Sequence, residues 1–261
     1  MMPSYLPPKI NYFRTRLWYA EVLYRSEQAN PKQLERLFKP DKKPLDQSNS
    51  WYQYRKGERT PSLKTLRMVE QRFPGSYIIF NHVLWDILRL ANPYDETALT
   101  AVLIRLKPWC RDILIRQKSP LKFSKLIARE LVKRDDLDAL ALLLLFWNNA
   151  HLRGSAKNTR LAARFVYYFL LMSDFRFLHD EANGTLLFDA LSELVLNHSM
   201  RDSERAKNTH EIWYKNRALL RANADSVTYS CFISEVFDRR NALYRTLKKP
   251  SQLDGDFQDI S

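Results

Sequence analysis

The side chains best suited to surface chemistry are gathered between residues 48 and 64: Ser48, Asn49, Ser50, Tyr52, Gln53, Lys56, Arg59 and Lys64. Hydroxyls and amides donate and accept hydrogen bonds, and an Asn or Gln amide can engage a base edge through both of its polar atoms. Lys and Arg supply the positive charge that phosphates attract. Trp51 sits inside this polar run and can anchor a short helix in a core, which leaves Ser48, Asn49, Ser50, Tyr52, Gln53 and Lys56 facing outward. Arg55 is four residues from Trp51, falls on a similar face, and is expected at the core edge. Gly57 can take the left-handed conformation that caps a helix, and Pro61 suits a helix entry. Arg59 and Lys64 then stand where phosphates would be met.

In order, Tyr54, Arg55, Lys56, Gly57, Arg59, Pro61, Ser62 and the apolar Leu63, Leu66 and Val69 resemble part of the lambda-repressor/Cro-like helix-turn-helix family. In that family a recognition helix ends in an aromatic residue, a charged residue, a basic residue and Gly. A basic residue, Pro, Ser and an amphipathic helix follow. The resemblance is carried by residues 46–70. It implies that the third helix enters the major groove of duplex DNA, that the module is all-helical, and that two copies meet successive grooves as a dimer. The chain differs in the segment Phe38–Leu45, which is longer than the family's turn and lacks Gly, and at Arg55, where the family often has an acidic residue.

Charge points to the same region. Residues 1–76 hold 15 Lys+Arg against 7 Asp+Glu, while the remainder of the 261 residues holds 27 against 22. Most of the net +13 therefore lies in the first part of the chain, as a polyanion partner would require. Only five residues are Gly, so Gly-rich phosphate loops have little material; neither a nucleotide-binding glycine loop nor a Gly-x-Ser-x-Gly elbow is present. Cys110 and Cys231 have no partners at metal-ligand spacing, and a disulfide framework is excluded. A reducing, cytoplasmic setting is expected. The longest apolar run, Ala139–Trp147, is far short of the roughly 20 residues of a membrane span and reads as a buried helix.

Other reactive groups have simpler explanations. His82, His151, His179, His198 and His210 include no pair four apart with a carboxylate, as a helical zinc site needs. His179-Asp180-Glu181 reads as a solvated helix end, and Asp135, Asp136 and Asp138 as charge at a helix N-terminus. Phe165, Tyr167, Tyr168 and Phe169, beside Arg160 and Arg164, could stack on a single strand but read as core with a partly wet tyrosine rim. No catalytic residue, metal or cofactor is expected.

The elements that position the 48–64 segment follow from helical periodicity, which runs almost throughout. Short helices are expected over Asn11–Gln28, with Phe13, Leu17, Ala20 and Tyr24 on one face, from Pro31 to Pro40, over Ser48–Lys56 and from Pro61-Ser62 to near Phe73. Longer ones are expected over Tyr77–Ala91, Asp95–Arg105, Trp109–Arg116, Leu121–Lys133, Leu137–Leu152, Lys157–Met172, Leu186–His198, Ser203–Arg221 and Val227–Leu247. The expected organisation is all-α. Residues 1–76 form a helix-turn-helix-like nucleic-acid-binding module, 77–247 a helical domain for dimerisation or partner binding, and 248–261 an acidic flexible tail. The expected function is a bacterial or phage-type DNA-binding protein, a transcriptional regulator or DNA-associated accessory factor that is not membrane-bound. The alternative is a helical adaptor or regulatory subunit whose module touches protein.

Overall fold

The computed structural model describes residues 6–38, 49–91, 95–116, 124–134, 136–173 and 181–197. It is all-α, with no strand among the described residues. The elements are α1 (Leu6–Arg25), α2 (Pro31–Phe38), α3 (Ser50–Lys56), α4 (Leu63–Arg72), α5 (Ser76–Phe80), α6 (Leu84–Arg89), α7 (Glu96–Arg105), α8 (Pro108–Arg116), α9 (Lys125–Arg134), α10 (Leu137–Leu152), α11 (Ala156–Met172) and α12 (Glu181–Leu191), the last continuing as a π-helical turn over Ser192–Leu196. They lie within one compact unit, Met1–Trp213. The expected loop Asp41–Gln47, the helices Ser203–Arg221 and Val227–Leu247 and the acidic tail lie outside the described residues.

Helix boundaries follow local chemistry. Ser62 caps α4 by accepting the Thr65 N–H, Asp95 caps α7 by accepting from Ala98, and Asp136 caps α10 by accepting from Ala139. The stretch expected as one helix from Tyr77 to Ala91 is two, broken at Asn81–Val83. Tertiary contacts stabilise the break: the Trp85 indole N–H donates to the Ile79 carbonyl at 2.7 Å, and the Arg105 guanidinium donates to the carbonyl of Asn81. These donors satisfy carbonyls that a continuous helix would have used internally.

Helix α10 is the centre of the second half. Every residue from Leu137 to Ala150 is buried, so the apolar run Ala139–Trp147 is indeed a core helix. It packs on α6, α9 and α11. Its buried Asn148 amide donates to the carbonyls of Ile87 and Leu90, at 2.6 and 3.2 Å, and so covers the C-terminal end of α6. On α11, Phe165, Tyr167 and Phe169 are buried and Tyr168 is half-buried, in line with the core-and-rim reading.

Helix α1 is covered on more than one side. It packs on α3, α5, α6 and α12, which buries Ile10, Phe13, Leu17, Trp18 and Val22 and leaves Tyr24 exposed. Its Glu21 carboxylate is fully buried; it accepts from Arg25 Nε at 2.7 Å and from Asn183 Nδ2 at 2.9 Å, which ties α12 to α1. α1 is thus a shared wall, packing both on α3 and on helices beyond residue 76.

The α4–α5 corner depends on one carboxylate. Glu70 accepts the Gly75 and Tyr77 N–H groups at 2.7 Å each and the Ser76 hydroxyl at 3.0 Å. Burial pushes its pKa up, but these hydrogen bonds and the nearby Arg25 outweigh burial and hold it below the ordinary carboxylate range. A depressed folded pKa contributes stability that is present above the unfolded value, about 4.3, and is lost as pH falls through the folded value. The wild-type melting temperature should exceed that of Glu70→Gln at neutral pH, and the gap should close in acid. Melting curves recorded between neutral pH and strong acid check this; a gap that does not change with pH would contradict it.

Candidate nucleic-acid interface

Helix α3 is pinned from one side. Trp51 and Tyr54 are 3% and 4% exposed, and they join Trp18, Tyr19, Val22, Leu34, Leu66, Val69 and Phe80 in one apolar cluster. The Trp51 ring lies between two others, stacked on Trp18 with centroids 5.9 Å apart and on Phe38 at 5.2 Å. Tyr54 meets Trp18 edge-on at 5.6 Å. Such stacked and edge-on pairs add to burial and fix ring orientation. α4 closes the floor with Leu66 and Val69, and Arg72 reaches back to donate to the Leu37 carbonyl at 3.1 Å.

With that side buried, the other faces solvent. Asn49, Tyr52 and Lys56 are exposed, and Ser50 and Gln53 are half-buried. Ser48 lies outside the described residues. Lys56 Nζ stands 5.7 Å from the Tyr52 ring centroid and 3.7 Å from Glu58. The five described members of the expected outward set therefore share one face. Arg55 is exposed but still close to the core edge: its charge bears on the buried Tyr19 phenol, which burial pushes up to about 12.

The turn after α3 carries the flanking charge. Gly57 adopts φ +72°, and the Gly57 and Glu58 N–H groups donate to the Tyr54 and Gln53 carbonyls at 3.0 Å. That paired arrangement closes the helix and needs a residue at ease in the left-handed region. The chain then folds back, so that Arg59 Nη1 lies 3.4 Å from Ser50 Oγ at the opposite end of α3. Lys64 is exposed in the first turn of α4. Arg67, also exposed on α4, adds to this surface and was not singled out by spacing. Among the described residues, Arg55, Arg59, Lys64 and Arg67 form no ion pair, so their charge is open to a ligand.

The remaining polar clusters serve packing. Lys107 Nζ lies 2.8 Å from Asp138 and 3.9 Å from Asp136, and His82 Nε2 lies 3.9 Å from Asp138. Burial holds His82 below its ordinary pKa against the pull of Asp138, and burial with the carboxylates pushes the Cys110 thiol up to about 12. These contacts tie the segments leading into α6 and α8 to the N-terminal end of α10. An open cleft of about 430 Å³ between α6 and α7 is lined by Asp86, Arg89, Asp95 and Arg105. Arg89 and Arg105 both bind Asp86 there. No group of three or more metal-ligating side chains occurs among the described residues, and no described helix is long and apolar enough to cross a membrane.

Compared with protein-family models, with curated proteins and with solved structures, the chain finds no match.

Proposed function

We propose that the protein binds duplex DNA in the cytoplasm, as a transcriptional regulator or DNA-associated accessory factor, with α3 as its recognition helix. The observation that carries this reading is the two-sidedness of α3. One side is locked by Trp51 and Tyr54, while the other offers Asn49, Ser50, Tyr52, Gln53 and Lys56 to solvent. A rigid helix with short polar side chains near its N-terminus is what a major groove can accept. Arg59 and Lys64 then hold phosphates, which supply affinity and salt dependence without sequence information. Ser48 extends the base-reading set on the strength of its sequence position. A homodimer formed through residues 77–247 would place two α3 helices on successive grooves.

Two variants separate these roles. Asn49→Ala with Gln53→Ala should relax the sequence preference recovered by selection from random duplexes. Arg59→Ala should weaken binding to all duplexes alike, with the logarithmic salt slope smaller by about 0.9. An unchanged selected motif in the double variant would contradict base reading by α3.

A second reading, a helical adaptor, draws on Ile104, Ile115 and Leu126, which are 67%, 75% and 74% exposed on α7, α8 and α9. Three large apolar side chains left in solvent on successive helices are surface that a protein partner could cover. Co-purification of a stable protein partner with no nucleic acid would favour that reading.

A further inference from the structure

The turn that ends α3 rests on α1. A Cβ at Gly57 would come within 2.6 Å of Tyr12 Cδ2 and 2.9 Å of the Tyr12 carbonyl oxygen, so the exposed edge of α1 lies directly beside the C-terminal end of α3. That edge carries a prepared cation. Arg16 Nη1 donates to the Tyr12 hydroxyl at 2.8 Å, and its guanidinium sits 5.3 Å from the Tyr12 ring centroid. Tyr12 is 37% exposed and Arg16 is half-buried. Neither contact neutralises the guanidinium, and Arg16 is in no ion pair among the described residues. A guanidinium held by a ring and a hydroxyl loses less freedom on meeting a phosphate than a free side chain does.

α3 is therefore bracketed. Arg59 stands at Ser50, its first residue; Tyr12, which holds Arg16, stands at Gly57, just past its last, beside Lys56. Seven helical residues span about 10 Å. The major groove between its two phosphate walls is about 12 Å wide. Resting on the reading of α3 as a DNA-binding helix, we infer that Tyr12–Arg16 on α1 is a second phosphate-binding site, which grips one strand while Arg59 grips the other. The partner is the phosphodiester backbone of a duplex, because a single strand offers only one such wall.

The test uses the full chain, a mixed-sequence duplex about two helical turns long, and the corresponding single strand. Arg16→Ala should weaken duplex binding several-fold and reduce the logarithmic salt slope by about 0.9. Arg16→Lys should keep the slope and lose part of the affinity, since Lys keeps the charge without the planar fork. Lys157→Ala, which removes one exposed charge on α11, should change neither. Tyr12→Phe keeps the ring against Gly57 but removes the hydroxyl that holds Arg16. It should show a smaller loss, and it reads the same site if Arg16→Ala does not fold. Wild-type affinity and salt slope in Arg16→Ala, or wild-type affinity in Tyr12→Phe if Arg16→Ala does not fold, would overturn the second site while leaving the reading of α3 intact. Equal losses on single strand and duplex would overturn the two-wall geometry. Absence of wild-type duplex binding would remove both.

Discussion

Trp51→Ala should cost about 3–5 kcal/mol of folding stability and abolish duplex binding at concentrations where the wild type is saturated. The ring is 3% exposed and stands between Trp18 and Phe38, with Tyr54 edge-on at 5.7 Å. Truncation leaves a void that two stacked rings on separate helices, α1 and α2, would have to close. The helix it anchors has only seven residues, too few to persist without tertiary contacts. Loss of the anchor should therefore melt α3 before it unfolds α10. Urea denaturation followed by tryptophan fluorescence and by far-ultraviolet dichroism measures both events. A loss under about 1 kcal/mol, in the range of ordinary surface substitutions, would mean that α3 is held by something other than this stack. Trp51→Phe, which keeps a ring in the slot, should lose less than Trp51→Ala.

Gly57→Ala should cost about 2–4 kcal/mol, combining the left-handed backbone penalty with overpacking. The comparison that isolates the second part lies within the same chain. Gly154 has nearly the same backbone, φ +69° against +72°, but a Cβ there meets nothing within 4 Å. Gly154→Ala should therefore lose only the backbone share, about 1–2 kcal/mol. At Gly57 the added methyl meets the Tyr12 ring and its carbonyl oxygen. The carbonyl belongs to α1, which is packed on α3, α5, α6 and α12 and has little room to shift. The turn carrying Lys56 and Arg59 should move instead, so binding should fall by more than the stability loss alone explains. Equal losses at the two glycines, measured by denaturation, would show that the Tyr12 contact gives way freely.

How much could be read from the chain alone depended on the range of the interaction. Gly57 after a basic helix end, Ser62 before Leu63, Asp95 before Glu96 and Asp136 before an apolar run all mark boundaries through hydrogen bonds a few residues long, and the structure places caps at each. The inner and outer sides of α3 were legible because Trp51 is the one large apolar group within a polar run. The break at Asn81–Val83 was not, because its stabilising donors come from Trp85 and Arg105 across a fold. Nor was the role of α1: a face of Phe13, Leu17, Ala20 and Tyr24 fits a helix covered on one side, whereas the helix packs on four others, buries Trp18, Tyr19 and Val22 as well, and leaves Tyr24 exposed. Tyr12 and Arg16 show helical i, i+4 spacing in the sequence, but nothing local says that Gly57 lies against them.

The central claim is that the α3 surface meets DNA. Fluorescence anisotropy of a labelled mixed-sequence duplex, titrated with the full chain over a series of salt concentrations, tests it most directly. The expected result is saturable binding whose logarithmic affinity falls linearly with the logarithm of salt. Three phosphate contacts in each protomer, at Arg16, Arg59 and Lys64, give a slope near −2.7 per bound protomer at about −0.9 per contact. Negligible binding at low salt, or binding that does not change with salt, would contradict it.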